Sequence, residues 1–168
     1  MNVEKKYPIS FGYACLAGLV GITFNTAMLK FAPLLNIHPG SGGLLQLLLI
    51  YATQWTPSML ALLHRVGLEK PPTLFGFLCF HYVTGMAMIL FYFYVFARYV
   101  HGPRWWKATI FGVLLWFVNS ALVLPQLGGG FAGIRTVPLS GVLYFFAANW
   151  LFIIISSLSY RPPLRHVV

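Results

Sequence analysis

Asn25, His81, Asn119 and Asn149 each stand inside a long apolar run of the chain. Polar side chains there are costly in lipid and must find partners within the protein. An imidazole in such a place can ligate haem iron or another metal, hold a quinone carbonyl or relay protons. Amides in the same setting line a path for a small neutral solute or hold neighbouring helices in register. Interhelical hydrogen bonds of this kind average about 0.6 kcal/mol, so pairing of His81 with Asn119 or Asn25 sets registry more than stability. Bis-histidine haem needs a second imidazole at matching depth, and His64 is the one nearby in sequence. The cofactor expectation is therefore none, with haem b or a quinone at His81, joined by His64, as the alternative.

The remaining inventory argues against catalysis. Glu4 and Glu69 are the only acids, both outside the apolar runs. That disfavours proton-coupled transport by an intramembrane carboxylate and removes paired-acid hydrolysis. Ser41, in the loop HPGSGG at 38–43, has no acid to orient a base. No HExxH or CxxC spacing occurs, so no metal site is expected. Cys15 and Cys79 lie singly in different apolar runs and read as small hydrophobes. His38, His101 and His166 fall in loops or the tail. A second glycine-rich stretch, QLGGGFAG at 126–133, lacks the lysine of a phosphate loop and reads as a tight connection. The chain is expected not to be an enzyme.

The elements that position these residues follow from composition. Hydrophobic residues make up 59% of the chain and charged residues 8%, with mean hydropathy +0.79. Soluble domains carry about 25% charged residues, so an ordinary cytosolic fold is excluded. The net charge of +9 reads as anchoring at anionic headgroups, because Lys and Arg cluster at the ends of the apolar runs. No basic face with interleaved stacking aromatics appears, and no nucleic-acid partner is expected. No linker divides the chain, which is read as one membrane domain, 1–168. The apolar run after MNVEKK is longer than a signal-peptide core and is read as a retained span.

The fold expected is an all-α integral membrane protein. Its four transmembrane helices lie at about 9–31, 73–97, 108–125 and 139–158. A broken interfacial or re-entrant segment occupies 43–66, and a five-helix arrangement is the alternative. Segment 43–66 is interrupted by Thr53, Gln54, Trp55, Thr56 and Pro57. Thr56-Pro57 is a helix-start signal and Gly67 a helix stop, so two short helices, about 43–54 and 57–66, are expected. With four spans and a cytoplasmic N-terminus, Lys5, Lys6, Arg98, Arg104, Lys107, Arg161 and Arg165 lie inside. Lys30, Arg65, Lys70 and Arg135 lie outside, seven against four in the sense of the positive-inside rule. Both termini are then cytoplasmic. Four spans also place Asn25, His81 and Asn119 at a common depth of roughly 10 Å from the outer end, with Asn149 deeper; five spans separate them.

Helix faces supply the packing. Ala14, Gly18, Gly21 and Asn25 share one face of the first span, and His81, Gly85, Met88 and Tyr92 one face of the next. Gly112, Trp116 and Asn119 follow, then Gly141, Phe145, Ala148 and Phe152 beside Asn149. Small residues such as Gly18, Gly21, Gly85 and Gly112 let helices approach closely. Trp105, Trp106, Tyr7, Tyr99 and Tyr160 flank spans as an aromatic belt. The aromatics of LFYFYVFARY surround a whole helix, more than one bundle core needs, which suggests packing against a larger membrane partner.

From His81 to Gly133 the chain reads H-x3-G, then FARY, a basic loop, WWKATIFGVLLW and LPQLGGG. This half of the sequence resembles small bacterial inner-membrane proteins of the YagU kind and related four-helix families. The resemblance implies four membrane helices, a bacterial inner membrane and no assigned enzymatic activity, with His81, Gly112, Pro125 and Gly128 as family-typical positions. Segment 43–66 departs from that pattern.

The function expected is a noncatalytic accessory subunit that packs against larger integral membrane subunits and lipids, in a respiratory or other redox complex. A small haem- or quinone-binding protein using His81 is the first alternative. A channel or transporter for a small solute is the second.

Overall fold

The computed structural model describes residues 9–39, 43–52, 57–68 and 72–160, and every regular element among them is helical. Helix α1 (Phe11–Phe31) ends in a 3₁₀ turn at Ala32–Leu35. Two short helices follow, α2 (Gly43–Ala52) and α3 (Pro57–Arg65). Then come α4 (Leu74–Phe91), α5 (Arg104–Val118) and α6 (Leu139–Ser159). With their continuations, four stretches are long and apolar enough to cross a bilayer: Phe11–Leu35, Leu74–Tyr99, Arg104–Gln126 and Leu139–Ser159. Helix α2 is apolar but too short. The chain is thus an all-α, multi-pass membrane protein with four spans and a shorter apolar helix.

The spans alternate in direction. At one end of the bundle the Ser10 N–H donates to the Tyr160 hydroxyl and the Tyr94 hydroxyl to the Ile9 carbonyl. The Arg104 guanidinium donates to the Tyr160 carbonyl there. At the other end the Tyr144 hydroxyl donates to the Met28 carbonyl, at 2.7 Å. Helix α1 leaves the first end and α4 returns to it, so the segment between them starts and finishes at the second end. Gly67, in the left-handed region at φ 72°, stops α3, with the Leu68 N–H reaching back to the Leu63 carbonyl. The Gly67 carbonyl then accepts from both the N–H and the hydroxyl of Thr73, whose oxygen caps α4 at the Gly76 N–H. This tie places the end of α3 beside the start of α4. Of the interruption expected at 53–57, residues 53–56 lie outside the described residues.

Two span boundaries differ from the sequence expectation. The third span begins at Arg104, four positions before 108, because its cations are used locally. Arg104 reaches the Tyr160 carbonyl, and the Lys107 ammonium donates to the Ala97 carbonyl at 3.1 Å. Long cationic side chains can run along a helix end in this way and still finish at polar groups. The first span continues to Leu35 through Pro33, which a 3₁₀ turn accommodates.

Close approach organises the bundle. A Cβ on Gly21 would stand 2.7 Å from the Phe152 carbonyl and collide with the Ser156 hydroxyl of α6. One on Gly85 would meet Ile22 of α1 at 2.8 Å, one on Gly18 the Met86 sulfur at 3.1 Å, and one on Gly112 the Trp150 Cα at 3.2 Å. All four glycines therefore sit at helix crossings. Around the first end, Tyr92, Phe93, Phe111, Phe152, Ile153 and Tyr160 form a buried, largely aromatic core. The Tyr92 hydroxyl is satisfied there by Ser157 at 3.0 Å.

Two measurements check this frame. Gly21→Ala is expected to cost about 1–3 kcal/mol in a denaturing-detergent titration, as overpacking does. Gly12→Ala, where a Cβ meets nothing within 4 Å, is expected to stay within about 0.5 kcal/mol. In a chain with Cys15 and Cys79 replaced by Ala, Lys30→Cys and Arg65→Cys are expected to react with an impermeant thiol reagent from the same face; labelling from opposite faces would contradict the four-span path.

Candidate functional site

At the second end of the bundle the four spans part around a cavity of about 180 Å³. Asn25 of α1, His81 of α4, Asn119 at the end of α5 and Asn149 of α6 all line it. Thr84 joins them, and the apolar walls include Ile22, Leu29, Phe80, Met88, Phe145 and Phe152. Gly43, Leu44 and Leu45 of α2 form a further part of the wall. Helix α2 buries Leu45, Leu49 and Ala52, one face of successive turns, and packs against the end of the third span. The Tyr51 hydroxyl donates to Gln126 at 2.7 Å. A segment too short to cross thus forms one wall of the site.

The local backbone at Asn119 is unusual. Residues Asn119–Val123 form a single π turn, in which the Leu124 N–H reaches the Asn119 carbonyl. Pro125 supplies the cause: it has no N–H for the carbonyl of Ala121, and its ring presses on that same carbonyl in an α-helix. The wider turn relieves the clash, and such turns occur often at functional sites. It re-phases the helix below it, leaving Asn119 on the cavity and Ser120 fully buried. A second π turn, Tyr92–Phe96, lies at the opposite end of the bundle, and no residue type in it explains its presence.

The hydrogen bonding is incomplete where it matters. Asn25, only 4% exposed, leaves its Nδ2 without a partner, and so does Asn119. The Ser120 hydroxyl is likewise buried and unpaired. Asn149 turns its Nδ2 onto the Phe145 carbonyl of its own helix at 2.7 Å, and Thr84 donates to the Phe80 carbonyl. The His81 ring stacks on Phe77, with centroids 6.1 Å apart and planes 6° apart, and meets the edge of Tyr82. Among the described residues no hydrogen bond joins His81 to Asn25 or Asn119, so the pairing expected from their depth is not formed. The cavity assembles those groups around a space and not onto one another.

His64 stands exposed on α3 and takes no part in the lining. The cavity therefore carries one imidazole. The space of about 180 Å³ is partly open, so an occupant can extend beyond it. His64 is not among the residues that line the cavity with His81. No group of three or more metal-ligating side chains occurs among the described residues. Among the described residues the lining holds no carboxylate, ammonium or guanidinium.

No known protein family, curated protein or solved structure matches this chain. The functional reading therefore rests on the cavity itself.

Sequence reasoning did not reach Thr84, Ser120 or the α2 wall. Pro125, five positions after Ser120, is the one signal in the sequence that the helix there departs from regular geometry. Of the two glycine-rich loops, 126–133 winds tightly at the second end, with Gly128, Gly130, Gly133 and also Ala132 at positive φ. It lies against the third span, and the Gly129 N–H returns to the Leu124 carbonyl. In the other loop, residues 40–42, Ser41 included, lie outside the described residues.

If Asn25 served only to hold the fold, its loss would destabilise the bundle. Its unpaired Nδ2 leads to the opposite expectation. Asn25→Leu should leave stability unchanged or raise it by up to about 2 kcal/mol in the same titration, since a buried polar group without a partner is costly. Tyr92→Phe, which breaks a satisfied pair, should lose about 1 kcal/mol.

Proposed function

We propose that this protein holds a small uncharged molecule between its spans, in the cavity bounded by α2. The observation that carries the reading is a cavity lined by Asn25, His81, Thr84, Asn119 and Asn149, two of which leave a buried amide nitrogen without a partner. A protein that needed these residues only for packing would gain by replacing them with leucine. The absence of charge among the described lining residues favours an uncharged occupant, because lipid-depth charge without a counter-charge is expensive. A quinone-type ring belongs to this class of occupant; a pore for solutes has less support, since the aromatic core around Tyr92 and Phe111 fills the opposite half of the bundle. Both termini are assigned to the cytoplasm of a bacterial inner membrane, from the seven-to-four excess of Lys and Arg at that end and the resemblance carried by His81, Gly112, Pro125 and Gly128.

Native mass spectrometry after gentle solubilisation tests the reading. The protein is expected to release a bound organic molecule on activation, with lower occupancy in a double Asn25→Leu, Asn119→Leu variant. Equal occupancy in both would remove the cavity as the binding place.

A second reading, an accessory subunit of a respiratory or other redox complex, draws on a different observation. The second span is the least enclosed of the four, with 11% of its apolar stretch buried against 28–33% for the others. Phe75, Val83, Phe91 and Tyr99 are exposed along it, a surface available to lipid or to a larger subunit. That role predicts migration in mild detergent above the chain's own 18.9 kDa; a monodisperse monomer would count against it.

A further inference from the structure

The bundle is closed on three sides and parted on the fourth. Helix α1 packs on α4 and α6, and α6 packs on α5. Helices α4 and α5 come together near the first end, where Phe91 and Tyr92 pack on Phe111 with ring centroids 6.1 and 5.3 Å apart. Toward the second end no comparable packing joins them among the described residues, and the cavity lies in that gap. On α4 it is lined by the stripe Phe77, His81, Thr84 and Met88, which covers about three turns and about 16 Å. That length matches the hydrocarbon depth of one leaflet, half of a core roughly 30 Å thick. The space therefore runs along the spans, in the direction that lipid chains take.

Its opening faces lipid. Val118 of α5 and Leu44 of α2 line the cavity and are still 40% and 38% exposed. Val118 precedes the end of its span at Gln126 by about two turns, a depth of about 12 Å, so a molecule passing it comes from hydrocarbon and not from water. Inside, the wall is mostly hydrocarbon as well, with Leu29, Phe80, Met88, Leu115 and Phe145 half-buried along it. The Asn25 and Asn119 nitrogens are shut off from the space, and Asn149 and Thr84 spend their donors on their own helices. We infer that the cavity holds an acyl chain of a bilayer lipid, which enters sideways between α4 and α5 and leaves its headgroup outside at the second end. This rests on the proposed reading of the cavity as a binding site and names a hydrocarbon chain as the uncharged body held there. A lipid tail gains nothing hydrophobic by leaving lipid. The gain is contact with side chains that would otherwise border a void.

Photolabelling of the intact protein tests this, in nanodiscs of phosphatidylcholine doped with the same lipid bearing a diazirine midway along one chain. Leu143 of α6, 59% exposed, reports the lipid around the protein, and Phe145 on the same helix reports the cavity. The wild-type chain is expected to carry adducts at both. In Thr84→Trp, which fills the space, and in Val118→Trp, which fills its rim, labelling of Phe145 should fall about tenfold while that of Leu143 stays. Native mass spectrometry of the wild-type chain from its own membrane should show one retained phospholipid, and it decides where neither variant folds. Equal labelling of Phe145 in a folded variant overturns the sideways chain. Retention of a quinone or another non-phospholipid molecule, with Phe145 unlabelled, also overturns the acyl chain but leaves a binding cavity. No label at Phe145 and no retained molecule overturn both readings.

Discussion

The contact on which the bundle depends is the approach of α1 to α6 at Gly21. With hydrogen in place of a side chain, the helix backbone comes down onto the Phe152 carbonyl and the Ser156 hydroxyl. Lipid offers no hydrophobic drive for this, because its tails are as apolar as leucine; the gain is close packing. Ser156 returns its own proton to the Phe152 carbonyl, so the crossing buries no unmet group. Once α1 and α6 are fixed, Gly85 seats α4 on Ile22 and Gly112 seats α5 on Trp150. The tight crossings and the aromatic core occupy one part of the bundle. Ile22, Gly85 and Phe152 of these crossings also line the cavity, which lies where the four spans part.

This division explains why satisfied and unsatisfied polar groups segregate. Around the aromatic core, Tyr92, Ser157, Arg104 and Tyr160 form a connected set of hydrogen bonds. Around the cavity, amides of similar size are held apart by the same helices, and two of them are left unpaired. A fold that spends stability in one place while completing every bond in another has a local reason for doing so, and open donors in lipid surroundings are costly enough to need one.

Much of the fold was legible in the residues. Four spans followed from length and hydropathy, the stop at Gly67 from its freedom at positive φ, and the crossings from small residues spaced three and four apart. The shared depth of Asn25, His81 and Asn119 followed from reading 43–66 as a segment that does not cross. What was not legible was whether polar residues at one depth touch. Periodicity fixes a face and a height, but the separation between facing helices depends on the bulk of Phe80, Phe145 and Phe152, which no single helix reveals. The π turn was hidden for a related reason: Pro125 signals a disturbed backbone without saying whether the helix kinks, ends or widens. The role of α2 was equally out of reach, since a ten-residue apolar helix has no preferred partner in sequence.

The adjacency of Ser10 and Tyr160 carries a consequence for how such a chain can be elaborated. With an even number of crossings, the described segment leaves the bilayer on the face where it began. Head-to-tail duplication with a short joining peptide would therefore yield two bundles of like orientation. It could not generate the oppositely oriented halves from which many secondary transporters are assembled, which require an odd number of crossings per unit. Any architecture grown from this unit by tandem copying would keep its cavities opening toward one leaflet.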